Sequence, residues 1–257
     1  MVVSHEHRFV FVEVPHTASH SISPELCTHY GGKTIIRKHA NLTQFMRQAS
    51  PDERKYFKFA TVRNPLDAAV TDFFKLKGNH KGQYSNPDAY IENGGHVTAE
   101  HRKRFRFIQD NDAEFPAFFR RFHNKIYNNW FLVGHTQFDF VIRFENLQAD
   151  YAEALKRIGV DIVQPLPHIN PTRLKKRPYI EFYTPEIREQ VIRCYGPFMQ
   201  KWGYAFPSDW DAGPVPLASR LRFAMLDGAV GAAARFLRLD PDDARVHRIK
   251  KAVEAIL

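Results

Sequence analysis

Glycine is absent from the first thirty residues of this 257-residue chain, and two nucleotide-binding signatures are absent with it. Without GxxxxGK[ST] there is no ATP-type phosphate loop, and without a glycine-rich fingerprint there is no dinucleotide site of the Rossmann kind. Cysteine is almost as scarce. Cys27 and Cys194 stand far apart with no CxxC pair, which excludes a zinc ribbon and a thioredoxin-like centre. Two thiols in so much chain suit a reducing compartment, with a single disulfide left open. No HExxH occurs, and no apolar run is long enough to cross a bilayer. The opening residues carry no hydrophobic signal core with a cleavage site, so a cytoplasmic location is expected.

Positive charge and apolar content are what the chain has. The formal charge of +9 favours an anionic partner, whether nucleotide, acidic polysaccharide, nucleic acid or membrane surface. Hydrophobic residues make up 44%, enough for a sizeable core, and the length suits one large α/β domain or two small ones. "FVFVEV", "YFKFATV" and "FDFVIRF" read as strands. Ile22, Leu26 and Tyr30 form a helical stripe after the first of them, ended by Gly31-Gly32. "KTIIR" is a short strand, and Asn41 or Thr43 caps a helix through Met46.

Pro65 starts a helix with Leu66, Ala69, Val70, Phe73 and Phe74 on its apolar face. Residues 77–97 are polar and predict a mobile loop with little to bury. Helices follow over 99–109 and 113–122, and another carries Leu147, Tyr151, Leu155 and Ile158. Thr184 and Pro185 open a further helix, kinked or ended near Gly196-Pro197. The pattern predicts an α/β fold, a mostly parallel central sheet flanked by helices, in three layers. Residues 1–206 make the α/β domain, 207–216 a linker and 217–257 a helical tail.

In such sheets ligands sit at the carboxyl ends of strands, where residues 16–21 and Arg63 both fall. The start of the first helix offers unpaired N–H groups and a partial positive charge, and Thr17, Ser19 and Ser21 add hydroxyls. An anion can be held there without lysine. His16 and His20 lie one helical turn apart, with His5, His7, His29 and His39 nearby, but no recognised third-ligand spacing appears and no metal is expected.

"VEVPHTASHSI" resembles the 5′-phosphosulfate loop of sulfotransferases, commonly PKTAGTS. "FATVRNPLDAAVTDF" resembles their 3′-phosphate segment, an RNP with Ser or Thr eight residues after the Arg. "KHANL", "VIRFENL", "LPHINPT" and "YTPEIREQVIRCYGPFMQKWGY" resemble segments of the carbohydrate-type branch, in the same order. The resemblance implies a P-loop-like fold that uses 3′-phosphoadenosine 5′-phosphosulfate (PAPS) as co-substrate, without metal. It implies transfer of a sulfuryl group to a hydroxyl, or less readily an amine, of a carbohydrate or small acceptor. Carried over, His16, Thr17, Ala18, Ser19, His20 and Ser21 hold the phosphosulfate. Arg63 and Thr71 hold the 3′-phosphate, Arg173 and Arg177 close over the nucleotide, and His39 is the general base.

The family's loop lysine is His16 here, its glycine Ser19 and a threonine His20. His16 then stands in for the lysine only when protonated, which implies a narrow bell-shaped pH profile with neutral His39. Lys33 or Lys38 reaching the site instead stays open. A non-catalytic nucleotide- or polyanion-binding protein on the same fold is the alternative. "EHRKRFRF" could stack on nucleic acid, but Phe105 and Ile108 fit the buried face of a basic helix, and no nucleic-acid partner is expected. The apolar, arginine-bearing tail suits packing on the domain, a homodimer contact or an anionic membrane surface.

Overall fold

The computed structural model describes residues 1–36, 38–129, 132, 138–167 and 177–236, the side chains of 233–236 excepted. In chain order the elements are β1 (Val2–Ser4), β2 (Phe9–Val12), α1 (Ser19–His29), β3 (Lys33–Thr34), α2 (Leu42–Gln48) and β4 (Phe57–Val62). Then come α3 (Pro65–Lys77), α4 (Ala99–Asp110), α5 (Phe115–Phe122), β5 (Phe140–Arg143), α6 (Leu147–Ile158), α7 (Pro185–Lys201) and α8 (Leu217–Phe236). They form two compact units, one drawn from residues 1–63, 128–170 and 224–257, the other from 64–127 and 171–223.

The first unit holds a five-stranded sheet in the order β3-β1-β2-β4-β5. β2, β4 and β5 pair in parallel, while β1 pairs antiparallel with both β2 and β3. Four strands therefore run one way and only β1 is reversed, so the fold is α/β with a mostly parallel sheet, as expected. β1 was not anticipated as a separate strand: the opening apolar run is a hairpin whose turn includes Arg8 at φ 54°. Ile22 and Leu26 of α1, Tyr30 just after it, and Tyr151, Ala154 and Leu155 of α6 form one buried cluster with Phe9, Phe11, Phe59 and Ile142 of the strands. Each Leu, Ile or Phe among them contributes about 1.5–3 kcal/mol by leaving water. Asn41 caps α2, accepting from the Gln44 amide at 3.0 Å while the Gln44 side chain accepts from the Asn41 amide at 3.1 Å, a reciprocal capping box.

The second unit is helical and its core is aromatic. Phe73 of α3 meets Phe115 and Phe118 of α5 with ring centroids 5.6 and 5.3 Å apart. Tyr183 packs on Phe115 at 5.0 Å and donates its hydroxyl proton to the Leu66 carbonyl at 2.8 Å. Residues 77–97, expected as a mobile loop with little to bury, are corrected: they wind through three 3₁₀ turns that bury Tyr84 and Val97. Tyr84 stacks on Phe105 at 5.8 Å, and Arg102 makes two 2.8 Å hydrogen bonds to Glu92. Helix α7 neither ends nor breaks at Gly196-Pro197 but runs to Lys201. A Cβ on Gly196 would lie 2.5 Å from Val215 Cγ2, so glycine is what lets the 207–216 stretch lie against α7. Trp210 of that stretch is buried against Tyr183 and Phe206.

Helix α8 has a buried stripe, Ser219, Phe223, Leu226 and Val230, and an exposed apolar one, Leu217, Leu221 and Met225. Among the described residues no helix is long and apolar enough to cross a membrane. Cys27 and Cys194 are free thiols.

His123 links this packing to pH. Its ring lies flat on Phe119 at 4.8 Å, and Nδ1 meets the Tyr195 hydroxyl at 2.5 Å. Nε2 is buried with no hydrogen-bond partner. Burial, aided by the charge of Arg104, pushes its pKa down to about 3. An unfolded chain protonates this ring near pH 6.5, the folded one does not, so protons favour unfolding between those values. Stability is therefore expected to fall by roughly 1 kcal/mol per pH unit below about pH 6.5 on this account alone. Denaturant melts of wild type and His123→Phe between pH 4 and 8 check it: the variant's curve should be flatter on the acid side, and parallel curves would refute the assignment.

Candidate functional site

Three parallel strands deliver their following loops to one edge of the sheet. Val12 is paired with Ala60, and Val62 with Arg143, so the segments after β2, β4 and β5 emerge together within the first unit. A parallel sheet leaves its strand ends open at such an edge, which is why ligands gather there.

The segment after β2 runs from Glu13 into α1. His16 and Ala18 both lie in the left-handed region, at φ 63° and 65°, on either side of Thr17. Left-handed turns of this kind shape anion-binding backbone nests. The conformation costs a non-glycine residue about 1–2 kcal/mol. Thr17 holds the strained course from inside: it is buried, its hydroxyl donates to the Val14 carbonyl at 2.8 Å and touches the Thr61 hydroxyl. The expectation that its hydroxyl is available to a ligand is thereby corrected; the Thr17 hydroxyl proton is committed to the loop.

Ala18 is the N-cap of α1 and makes no side-chain cap bond, and no acidic residue lies in the first turn. Alanine is a poor N-cap, about 1 kcal/mol worse than Ser, Thr, Asp or Asn. The first intrahelical bonds run from Ser21 and Ile22 to the Ala18 carbonyl, at 2.9 and 3.1 Å, so the amides of Ser19 and His20 precede the helical ladder. Ser19 and Ser21 are buried in this turn, and His16 and His20 are exposed. An uncapped positive helix end with exposed imidazoles beside it is suited to receive an anion.

Arg63 follows β4 directly. It donates from Nη1 to the His16 carbonyl at 3.1 Å, and its guanidinium carbon lies 4.3 Å from the centre of the Phe144 ring. Phe144 follows β5. One arginine thus bridges the segments after all three parallel strands, with the ring face fixing its plane. Phe144 lay inside a quoted segment, "VIRFENL", but its contact joins residues far apart in sequence and leaves no local signal.

His39 lies in the turn after β3, at φ 58°. Its Nδ1 is 2.7 Å from the Glu13 carbonyl. A carbonyl only accepts, so Nδ1 carries the proton and the neutral ring has its lone pair on Nε2. Glu13 is itself buried and accepts from the Ser23 hydroxyl at 2.8 Å, which ties it to α1. Beside His39, the Lys38 ammonium lies 3.1 Å from Nε2 and 3.4 Å from Nδ1 of His20.

Thr71 is buried on α3 of the second unit. Arg177, also there, is exposed and stacks over Phe182 at 4.2 Å. Arg173 lies outside the described residues. Among the described residues no group of three or more His, Cys, Asp or Glu side chains could hold a metal ion.

A model described as "Sulfotransferase family" matches residues 1–197. Carbohydrate sulfotransferase 14 of Danio rerio is 24% identical over 184 residues, covering 62% of this chain and 48% of that protein. The chain thus spans about half the length of the curated relative it matches. No solved structure matches it significantly.

Proposed function

The chain belongs to the sulfotransferase family, and we propose that it moves a sulfuryl group from PAPS to a hydroxyl of a saccharide or other small acceptor. The observation that carries this reading is the pairing of two anion-holding elements at one sheet edge. One is the uncapped start of α1. The other is Arg63, bound to the His16 carbonyl and braced on Phe144. A donor with phosphates at both its 5′ and 3′ positions needs two such elements, and a mononucleotide needs one.

In this reading the amides of Ser19 and His20 and the nest at His16–Ala18 receive the 5′-phosphosulfate, and Arg63 takes the 3′-phosphate. Transfer then needs little more than positioning and charge compensation. The acceptor oxygen attacks sulfur in line, and the bond from sulfur to the 5′-phosphate oxygen breaks with its electron pair left on that oxygen. Nε2 of His39 takes the acceptor's proton, because Nδ1 is already bound to Glu13. The saccharide acceptor is suggested by the name of the relative and by branch resemblance.

Incubation with sulfur-labelled PAPS and a panel of polysaccharides, oligosaccharides and small alcohols tests the reading. Label is expected in at least one hydroxyl-bearing acceptor. No label in any acceptor, together with no binding of 3′,5′-ADP, would overturn it.

A further inference from the structure

As the 5′-phosphate leaves sulfur, negative charge builds on the bridging oxygen, and a cation there lowers the barrier. Residues 13–21 contain no lysine or arginine. Arg63 is engaged with the His16 carbonyl and Phe144 and is assigned above to the other phosphate. A cation that the described residues do place at the loop is Lys38, with its ammonium 3.1 Å from Nε2 of His20, the second residue of α1.

Two features bear on this contact. Lys38 is flanked by a tether: its neighbour His39, left-handed at φ 58°, is bound to the Glu13 carbonyl at 2.7 Å. Lys38 and His39 therefore touch the loop at two places, His20 and Glu13. The second feature is electrostatic. A lysine at the positive end of a helix, with no acid in the first turn, is placed where its charge is disfavoured. An anion between the lysine and the helix end reverses the sign of that interaction.

We propose that Lys38 is the catalytic cation of the phosphosulfate site, reaching in from the turn after β3 to do what a loop lysine would do at position 16. This rests on the PAPS reading above. In the unliganded chain the His20 ring accepts a hydrogen bond from the ammonium and so holds it near the loop. When the donor binds, the ammonium moves to the bridging oxygen and meets the electron pair that the breaking S–O bond leaves there. It donates hydrogen bonds and keeps its proton; the acceptor's proton goes to His39. With Lys38 in this role, turnover does not call on the His16 ring.

The test compares the full chain with Lys38→Ala, Lys38→Arg and His16→Ala. Binding of 3′,5′-ADP is measured by calorimetry, and conversion of PAPS to 3′,5′-ADP in the presence of a responsive acceptor is followed in parallel. Lys38 is exposed, so the variants should fold with unchanged circular dichroism and melting. We expect Lys38→Ala to slow conversion by about 100-fold, as loss of a transition-state donor does, with 3′,5′-ADP affinity changed less than about tenfold. Lys38→Arg should recover most of the rate, and His16→Ala should lose clearly less of it than Lys38→Ala does. A Lys38→Ala rate near wild type, or the large loss appearing in His16→Ala instead, overturns the proposal. Wild type that binds 3′,5′-ADP but never converts PAPS also overturns it, leaving nucleotide binding intact. Wild type that binds neither nucleotide removes the PAPS reading itself.

Discussion

His39→Asn is expected to lower sulfuryl transfer by roughly 10²–10⁴-fold while binding 3′,5′-ADP as wild type does. The choice of asparagine follows from the geometry. His39 has two structural duties besides any chemical one: it adopts a left-handed backbone, and its Nδ1–H binds the Glu13 carbonyl. Asparagine tolerates the left-handed region better than most residues, and its side-chain amide offers a donor near the position of Nδ1. What asparagine cannot offer is a basic nitrogen where Nε2 stands. The loss should therefore fall on kcat, with KM for PAPS and the melting temperature nearly unchanged. Activity that survives in His39→Asn removes the base assignment. Nucleotide binding lost together with activity would show that the ring only holds the turn.

Arg63→Ala should weaken 3′,5′-ADP binding by about 100-fold, or ~2.7 kcal/mol, and leave 5′-AMP binding almost untouched. A guanidinium offers paired, charge-assisted donors to a phosphate, each worth about 1.5–3 kcal/mol when desolvated. The preference for the 3′-phosphate is the diagnostic quantity, because a purely structural arginine would affect both nucleotides alike. Arg63 does have a structural side, its bond to the His16 carbonyl. Lysine restores charge without the plane that lies on Phe144, so Arg63→Lys should recover only part of the loss. Calorimetry with both nucleotides on all three proteins decides this. Equal losses for the two ligands would return Arg63 to a role in holding the loop.

Elements with a strong period were readable without coordinates. The apolar runs "FVFV" and "FKFATV", buried on both faces of the sheet, and the four-residue stripes of α1 and α6 are local signals tied to burial. β1 was not, because three residues, "VVS", merge into the apolar run that ends in β2. Residues 77–97 misled by composition: polar turn formers such as Asn79, Asn86 and Gly94 hide the two side chains, Tyr84 and Val97, that anchor the stretch. Pro197 reads as a helix break because it lacks an amide proton, yet Tyr195, Phe198 and Met199 around it are buried and the helix continues.

At the candidate site, the loop and Arg63 could be named from motif order. The contacts that give them a shape could not. Arg63 on Phe144, Lys38 on His20 and His39 on Glu13 join residues from different loops, and no local pattern encodes a distance across them.

The bond from Arg63 to the His16 carbonyl spans 47 positions of sequence. Those two residues meet only once β2 and β4 have paired in parallel, a slow, non-local step because a long crossover must close first. The start of α1 and Arg63 are therefore not brought together in any partly folded chain that lacks this pairing. A ligand held by both can select only the finished state, so it should leave the folding rate alone and slow unfolding. Occupancy would then act as a clock on the protein's lifetime: a chain holding its nucleotide opens rarely, and an emptied one is the first to be lost to proteolysis.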